Sequence, residues 1–123
     1  MAKSRSDALK SLLKDLEAGT PDIEGSVVVS ADGLVMASAL PADVDEDRIA
    51  AMSAALLALG ERSAKELDRG VLEDVFVKGE NGYIVLMGAG HDAVLGALCR
   101  EEAKLGMIFL DMRRTAKEIG NVV

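Results

Sequence analysis

Residues 49–60 read IAAMSAALLALG, with Ser53 as the one polar residue, inside a segment that otherwise carries the marks of a long water-facing helix. No other feature of the chain constrains its fold as much. At about 100° per residue, Ile49, Met52, Leu56, Leu59, Ser63 and Leu67 fall on one bulky stripe, expected to bury against the body of the domain. The opposite side should be charged. Instead it carries Ala51, Ala54, Ala55 and Ala58 with Leu57 on its flank, and turns polar only at Glu61, Arg62 and Lys65. A helix apolar around its circumference for three turns needs cover on both sides, and a chain of 123 residues supplies one covering layer. A second copy of the chain is expected to supply the other. The plainer account is that alanine is the best helix former, so an exposed Ala-rich face needs no partner. Burying an Ala methyl contributes only about 0.8 kcal/mol, so four alanines per subunit need help from a further contact to hold a dimer.

Composition narrows the function classes. A single domain over residues 1–123, 50% hydrophobic and 28% charged, is long enough for a real core. Twenty-one acidic against fourteen basic residues give a net charge of −7, which opposes the counterion release that drives proteins onto nucleic acids. The three aromatic residues, Phe76, Tyr83 and Phe109, are too few for a base-stacking platform. The longest apolar run falls far short of the roughly 20 residues that span a bilayer, so membrane insertion is not expected. The opening MAKSRSDALKSLLKDLE lacks a secretory hydrophobic segment, and the lone Cys99 permits no internal disulfide; a cytoplasmic protein is expected.

Along the chain, Leu9, Leu12, Leu13 and Leu16 recur at helical spacing, and Gly19, Thr20 and Pro21 end that helix. Ile23 to Ser30 and Leu34 to Ala39 read as strands joined by an Asp-Gly turn. Asp43, Asp45, Glu46 and Asp47 suit the cap and first turn of the long helix, which is expected to run to about Asp68 with Gly70 as its C-terminal cap. Val71 to Lys78 has the mixed faces of an edge strand; Tyr83 to Met87 is apolar throughout, as a strand covered on both faces should be; Ala93 to Leu98 is a fifth strand. Leu105, Ile108, Phe109, Met112, Ala116 and Ile119 form the core stripe of a third helix. The order is helix, two strands, helix, three strands, helix, an α/β class with a five-stranded, mostly antiparallel sheet and helices on both faces.

No active site assembles. Asp43, Asp45 and Asp47 resemble the start of a calcium loop, but its sixth and twelfth positions, Gly and Glu, are here Arg48 and Ala54. His91 and Cys99 are each alone, too few for zinc, and sit at opposite ends of an extended strand, too far apart for a thiol and its base. GAGHDAVLG lacks the Lys-Ser/Thr of a phosphate loop and joins two strands, as a tight turn does. Arg113 and Arg114 lie within a helix, where exposed arginines make local ion pairs. No cofactor and no metal are expected.

With that order in hand, the chain resembles the Roadblock family, the dynein-light-chain-like domains found widely in bacteria and archaea. The likeness rests on EGSVVVSADGLVMAS at 24–38, DEDRIAAMSAALLALGERSAKEL at 45–67, GYIVLMGAGHDAVLGAL at 82–98 and KLGMIFLDMRRTAKEI at 104–119. It implies a profilin-like α/β/α fold, strand order 2-1-5-4-3, and a homodimer in which third strands join and second helices pair. The contact is then expected from Ala51, Ala54, Ala55, Leu57, Ala58 and Arg62 on the helix and Val71, Glu73, Val75 and Val77 on the strand.

The resemblance also implies a non-enzymatic platform for a Ras-like small GTPase, modulating its nucleotide cycle or localisation. Bacterial polarity regulators of this type add segments beyond the third helix that touch the GTPase. Here the sequence runs only to Val123, so binding is expected and activation is left open. The alternative is a small-molecule sensor of profilin-like type, with a pocket between sheet and helix. An enzyme ranks last, because no acid, base, nucleophile and stabiliser can be placed together.

Overall fold

The computed structural model describes residues 4–123; residues 1–3, the start of the stretch read for a secretory leader, lie outside it. The elements run α1 (Arg5–Gly19), β1 (Ile23–Ser30), β2 (Val35–Ala39), α2 (Glu46–Glu66), β3 (Val75–Gly79), β4 (Gly82–Gly88), β5 (Ala93–Cys99) and α3 (Leu105–Val122). All pairings are antiparallel and the strand order is β2-β1-β5-β4-β3, as expected.

Two apolar cores sandwich the sheet. Leu9, Leu13 and Leu16 of α1 and Ile108, Met112 and Ile119 of α3 pack with Val28, Val85, Met87 and Leu95 on one face. Ile49, Ala50 and Leu57 of α2 pack with Val27, Val29, Leu86 and Val94 on the other. Alternation of side chains along each strand explains why β4 and β5 are apolar at nearly every position and why β1 is buried from Gly25 to Val29: both of their faces are covered.

Local chemistry sets the helix ends. Ser4 caps α1 by accepting from the Asp7 amide at 3.1 Å, and the Thr20 hydroxyl after its last turn donates to Asp111 of α3 at 2.9 Å. Asp45 caps α2, accepting from the amides of Asp47 and Arg48 at 3.1 and 3.2 Å. This helix ends two residues earlier than expected: Leu67 is the cap, and Asp68 (φ 55°) turns the chain before Gly70 (φ 86°).

Two expectations are corrected. The edge strand begins at Val75, not Val71: Leu72 packs near Gly60 of α2, while Val71 and Glu73 stand exposed before the strand. And α2 is rolled about its axis relative to the expected orientation. Its buried residues are Ile49, Ala50, Ser53, Ala54 and Leu57, while Met52 and Leu59 are 53% and 61% exposed. The cause is proximity to the sheet. A Cβ on Gly96 of β5 would stand 3.3 Å from Ser53 Oγ, and one on Gly33 in the β1–β2 turn would stand 3.3 Å from Ala51 Cα. Small residues face small residues across that gap, and the bulky ones turn outward.

Candidate interaction surface

The roll of α2 decides which side chains are offered to a partner. Ala54 and Leu57, expected at the dimer contact, are 9% and 6% exposed and belong to the chain's own core; they are not available to a second chain. Ala51, Ala55, Ala58 and Arg62 are exposed, joined by Met52 and Leu59, which the sequence pattern had assigned to the interior. Arg48, Met52, Ala55, Leu59, Arg62 and Glu66 follow one another along the outer ridge at helical spacing, apolar in the middle and charged at both ends. Arg62 and Glu66 form an exposed ion pair at 2.9 Å.

Beside this ridge the sheet is incompletely covered. A cleft of about 310 Å³ opens between α2 and the sheet, lined among others by Met52, Ser53, Leu56, Ile84 and Leu98. A second cleft of about 400 Å³ near the β3–β4 turn shares Ile84 and Leu98 and adds Val77. Together they make one apolar strip from α2 to β3. Ser53 lies in its wall with a buried hydroxyl that has no hydrogen-bond partner among the described residues.

The strip ends on an open edge. β3 pairs only with β4, so the outward-pointing amides and carbonyls of Val75–Gly79 have no partner strand, and Phe76 and Val77 are exposed. Val75 is half-buried under α2, Val71 lies before the strand and is almost fully exposed, and Glu73 is also exposed outside it. The opposite edge, β2, is guarded: its pairing with β1 shifts register between Val28 and Val29, and the Ser6 hydroxyl of α1 donates to the Met36 carbonyl.

Elsewhere the candidate chemical groups take structural roles. The Cys99 thiol is buried and its pKa is pushed up to about 11, chiefly by desolvation and then by the carboxylates of Asp22 and Glu24, so it stays protonated. His91 precedes the other end of the same strand. In GAGHDAVLG, Gly90 (φ 84°) lets the turn approach the last turn of α3, where its missing Cβ would stand 3.2 Å from Gly120 Cα. Arg113 pairs with Asp74 and Arg114 with Asp111, both at 3.2 Å. No group of three or more His, Cys, Asp or Glu among the described residues is placed to hold a metal ion, and no helix is long and apolar enough to cross a membrane.

A sheet in this order with two helices on one face and one on the other is the profilin-like arrangement. Acanthamoeba castellanii profilin II superposes with a TM-score of 0.65 at 14% identity, covering 92% of this chain and 97% of that one. An MglB chain solved in a tetrameric arrangement superposes with a TM-score of 0.88 at 21% identity, covering 99% and 92%. The gliding protein MglB of Thermus thermophilus gives 0.84 at 19% identity, covering 99% and 93%. In sequence, the uncharacterized protein MJ1340 of Methanocaldococcus jannaschii is 40% identical over 100 residues, 81% of this chain and 87% of that protein. The Roadblock/LC7 domain model matches residues 9–98, and the chain belongs to that family.

Proposed function

We propose that the protein is a homodimeric platform that binds a Ras-like small GTPase and modulates its nucleotide cycle or localisation. The supporting observation is an apolar strip that continues from the outer ridge of α2 to the unpaired edge of β3. Two copies of β3 joined edge to edge would satisfy the free backbone groups, and each α2, running past β3, would cover the neighbour's Val77, Ile84 and Leu98. On this reading the contact is made by Ala51, Ala55, Ala58 and Arg62 with Met52, Leu56 and Leu59, and by Val75 and Val77 on the strand; Val71 and Glu73 lie at its rim. The GTPase role is drawn from family membership and from the MglB-like fold, and the paired helices are the surface it would use. Purified protein should elute at dimer mass and retain a Ras-like GTPase from its own cell extract, differently when loaded with GDP and with a non-hydrolysable GTP analogue. A monomer that retains none in either state would overturn the reading.

The cleft beside Ser53 favours one competing use, as the pocket of a small-molecule sensor. A ligand that raises the melting temperature without any protein partner, and is lost on filling the cleft with Leu98→Trp, would support that use over the platform.

A further inference from the structure

Ser53 carries an oxygen that the fold does not use. Among the described residues, Ser53 Oγ is the one buried side-chain oxygen or nitrogen without a hydrogen-bond partner. The residue is 1% exposed, and the buried hydroxyls of Ser26 and Thr20, by contrast, donate to the carboxylates of Glu17 and Asp111. Leaving a buried hydroxyl unpaired costs free energy that an apolar group of similar size does not. Packing asks only for a small side chain at this position, because a Cβ on Gly96 would stand 3.3 Å from Ser53 Oγ. Alanine meets that demand, so the oxygen is surplus to packing.

The surroundings of Ser53 indicate what would pair with it. It belongs to the wall of the cleft of about 310 Å³, where Val44, Ile49, Met52, Leu56, Ile84 and Leu98 supply a lining of aliphatic and thioether groups. The exposed Asp43, Asp45 and Arg48 stand at its mouth, two carboxylates against one guanidinium, and Asp45 is already engaged in capping α2. That balance does not favour an anionic head, and the apolar interior opposes a charge of either sign.

We propose that this cleft binds a neutral aliphatic molecule carrying a hydroxyl or carbonyl oxygen, its chain lying between α2 and the sheet and its oxygen paired with Ser53 Oγ. The inference rests on the pocket use of the cleft set out above and gives that pocket its ligand class. A serine side chain has a single heavy-atom rotor, and its hydroxyl both donates and accepts, so Oγ turns from Gly96 to meet either kind of oxygen. Every group in the site comes from one chain, so binding does not require a second copy.

The test is an NMR titration of the intact protein with n-heptanol, n-heptyl chloride, heptanoate and heptylammonium, following the methyl signals of Met52, Leu56, Ile84 and Leu98. Heptanol should move these signals and bind more tightly than either charged probe. Ser53→Ala should weaken heptanol about three- to tenfold, the worth of one net hydrogen bond, and leave heptyl chloride unchanged. Without any probe the variant should melt at a higher temperature than the parent, since it loses an unpaired hydroxyl and gains helix propensity. Heptanol binding that Ser53→Ala does not weaken, or a charged probe that binds more tightly than heptanol, would overturn the ligand class and leave the pocket standing. Methyl signals that no probe moves would overturn the pocket use as well. A variant that melts below the parent would show that the hydroxyl already has a partner within the fold, and the proposal would fall with its premise.

Discussion

Leu59→Ser tests the assembly where the structure makes the strongest demand. Leu59 sits on the outer ridge of α2 with 61% of its surface open, so the substitution removes nothing from the chain's own core. Fully burying a Leu side chain is worth about 1.5–3 kcal/mol, and three-fifths of that leaves about 1–2 kcal/mol for a partner to gain. Twofold symmetry counts the loss twice, about 2–4 kcal/mol per dimer, which is a weakening of roughly 30- to 1,000-fold in the dissociation constant. Interface area converts to affinity imperfectly, so the lower half of that range is the working expectation. Sedimentation equilibrium over a concentration series measures the constant directly. Thermal unfolding of the variant under monomeric conditions checks that the fold is intact. The reasoning fails if Leu59→Ser dimerises as tightly as the parent, or if the parent is a monomer at every concentration. Ala54→Ser is the internal contrast: it adds a hydroxyl at a buried site and should lower stability without a specific effect on association.

Two further substitutions probe the layers around the sheet. Gly60→Ala should destabilise by about 1 kcal/mol in urea denaturation: helix propensity favours Ala by about 1 kcal/mol, but overpacking costs about 1–3 kcal/mol. The new Cβ would stand 2.6 Å from Val75 Cγ2, a branched side chain that cannot swing aside; a more stable variant would show that β3 is not pressed against α2. Glu17→Gln should gain stability relative to the parent as pH rises from 4 to 7. Desolvation raises the Glu17 pKa above its ordinary 4.5, only partly opposed by the hydrogen bond from Ser26. The native state therefore holds more protons than the unfolded chain just above that ordinary value, so this site's contribution falls as pH rises through the raised value, and Gln, which still accepts from Ser26, escapes that loss. Urea midpoints that favour the variant more at pH 4 than at pH 7 would refute the assignment.

The helices and strands were legible because their signals are local. Thr20, Asp45 and Gly70 punctuate the chain where caps and turns form, and the two-sided burial of β4 was readable from five consecutive apolar residues. The orientation of α2 was not legible. Size suggested that Met52 and Leu59 belong inside, yet the distance between helix and sheet is set by pairs far apart in sequence, Ser53 with Gly96 and Ala51 with Gly33. A small residue facing a glycine across 43 positions leaves no periodic trace. Nor did the edge strand announce its true start, since Val71 and Leu72 have the same β-branched or aliphatic character as Val75 and differ only in their surroundings, Leu72 packing near Gly60 of α2 and Val71 standing almost fully exposed.

That error exchanged Met52 and Leu59 for Ala54 and Leu57, leaving Ala51, Ala55 and Ala58 outward, and did not touch the inference drawn from the helix. The argument for a partner required that more apolar surface surround α2 than one sheet covers, and that quantity does not change when the helix is rolled. With alanines outward, the surplus would have been a few methyl groups, worth little. With Ala50, Ser53 and Ala54 inward, it becomes Met52, Leu59 and the flank of Leu56, continuous with Val77, Ile84 and Leu98 on the sheet. Close approach of helix to sheet thus drives the bulky residues to the surface. The chain's own packing thereby creates the apolar strip that a second copy would cover.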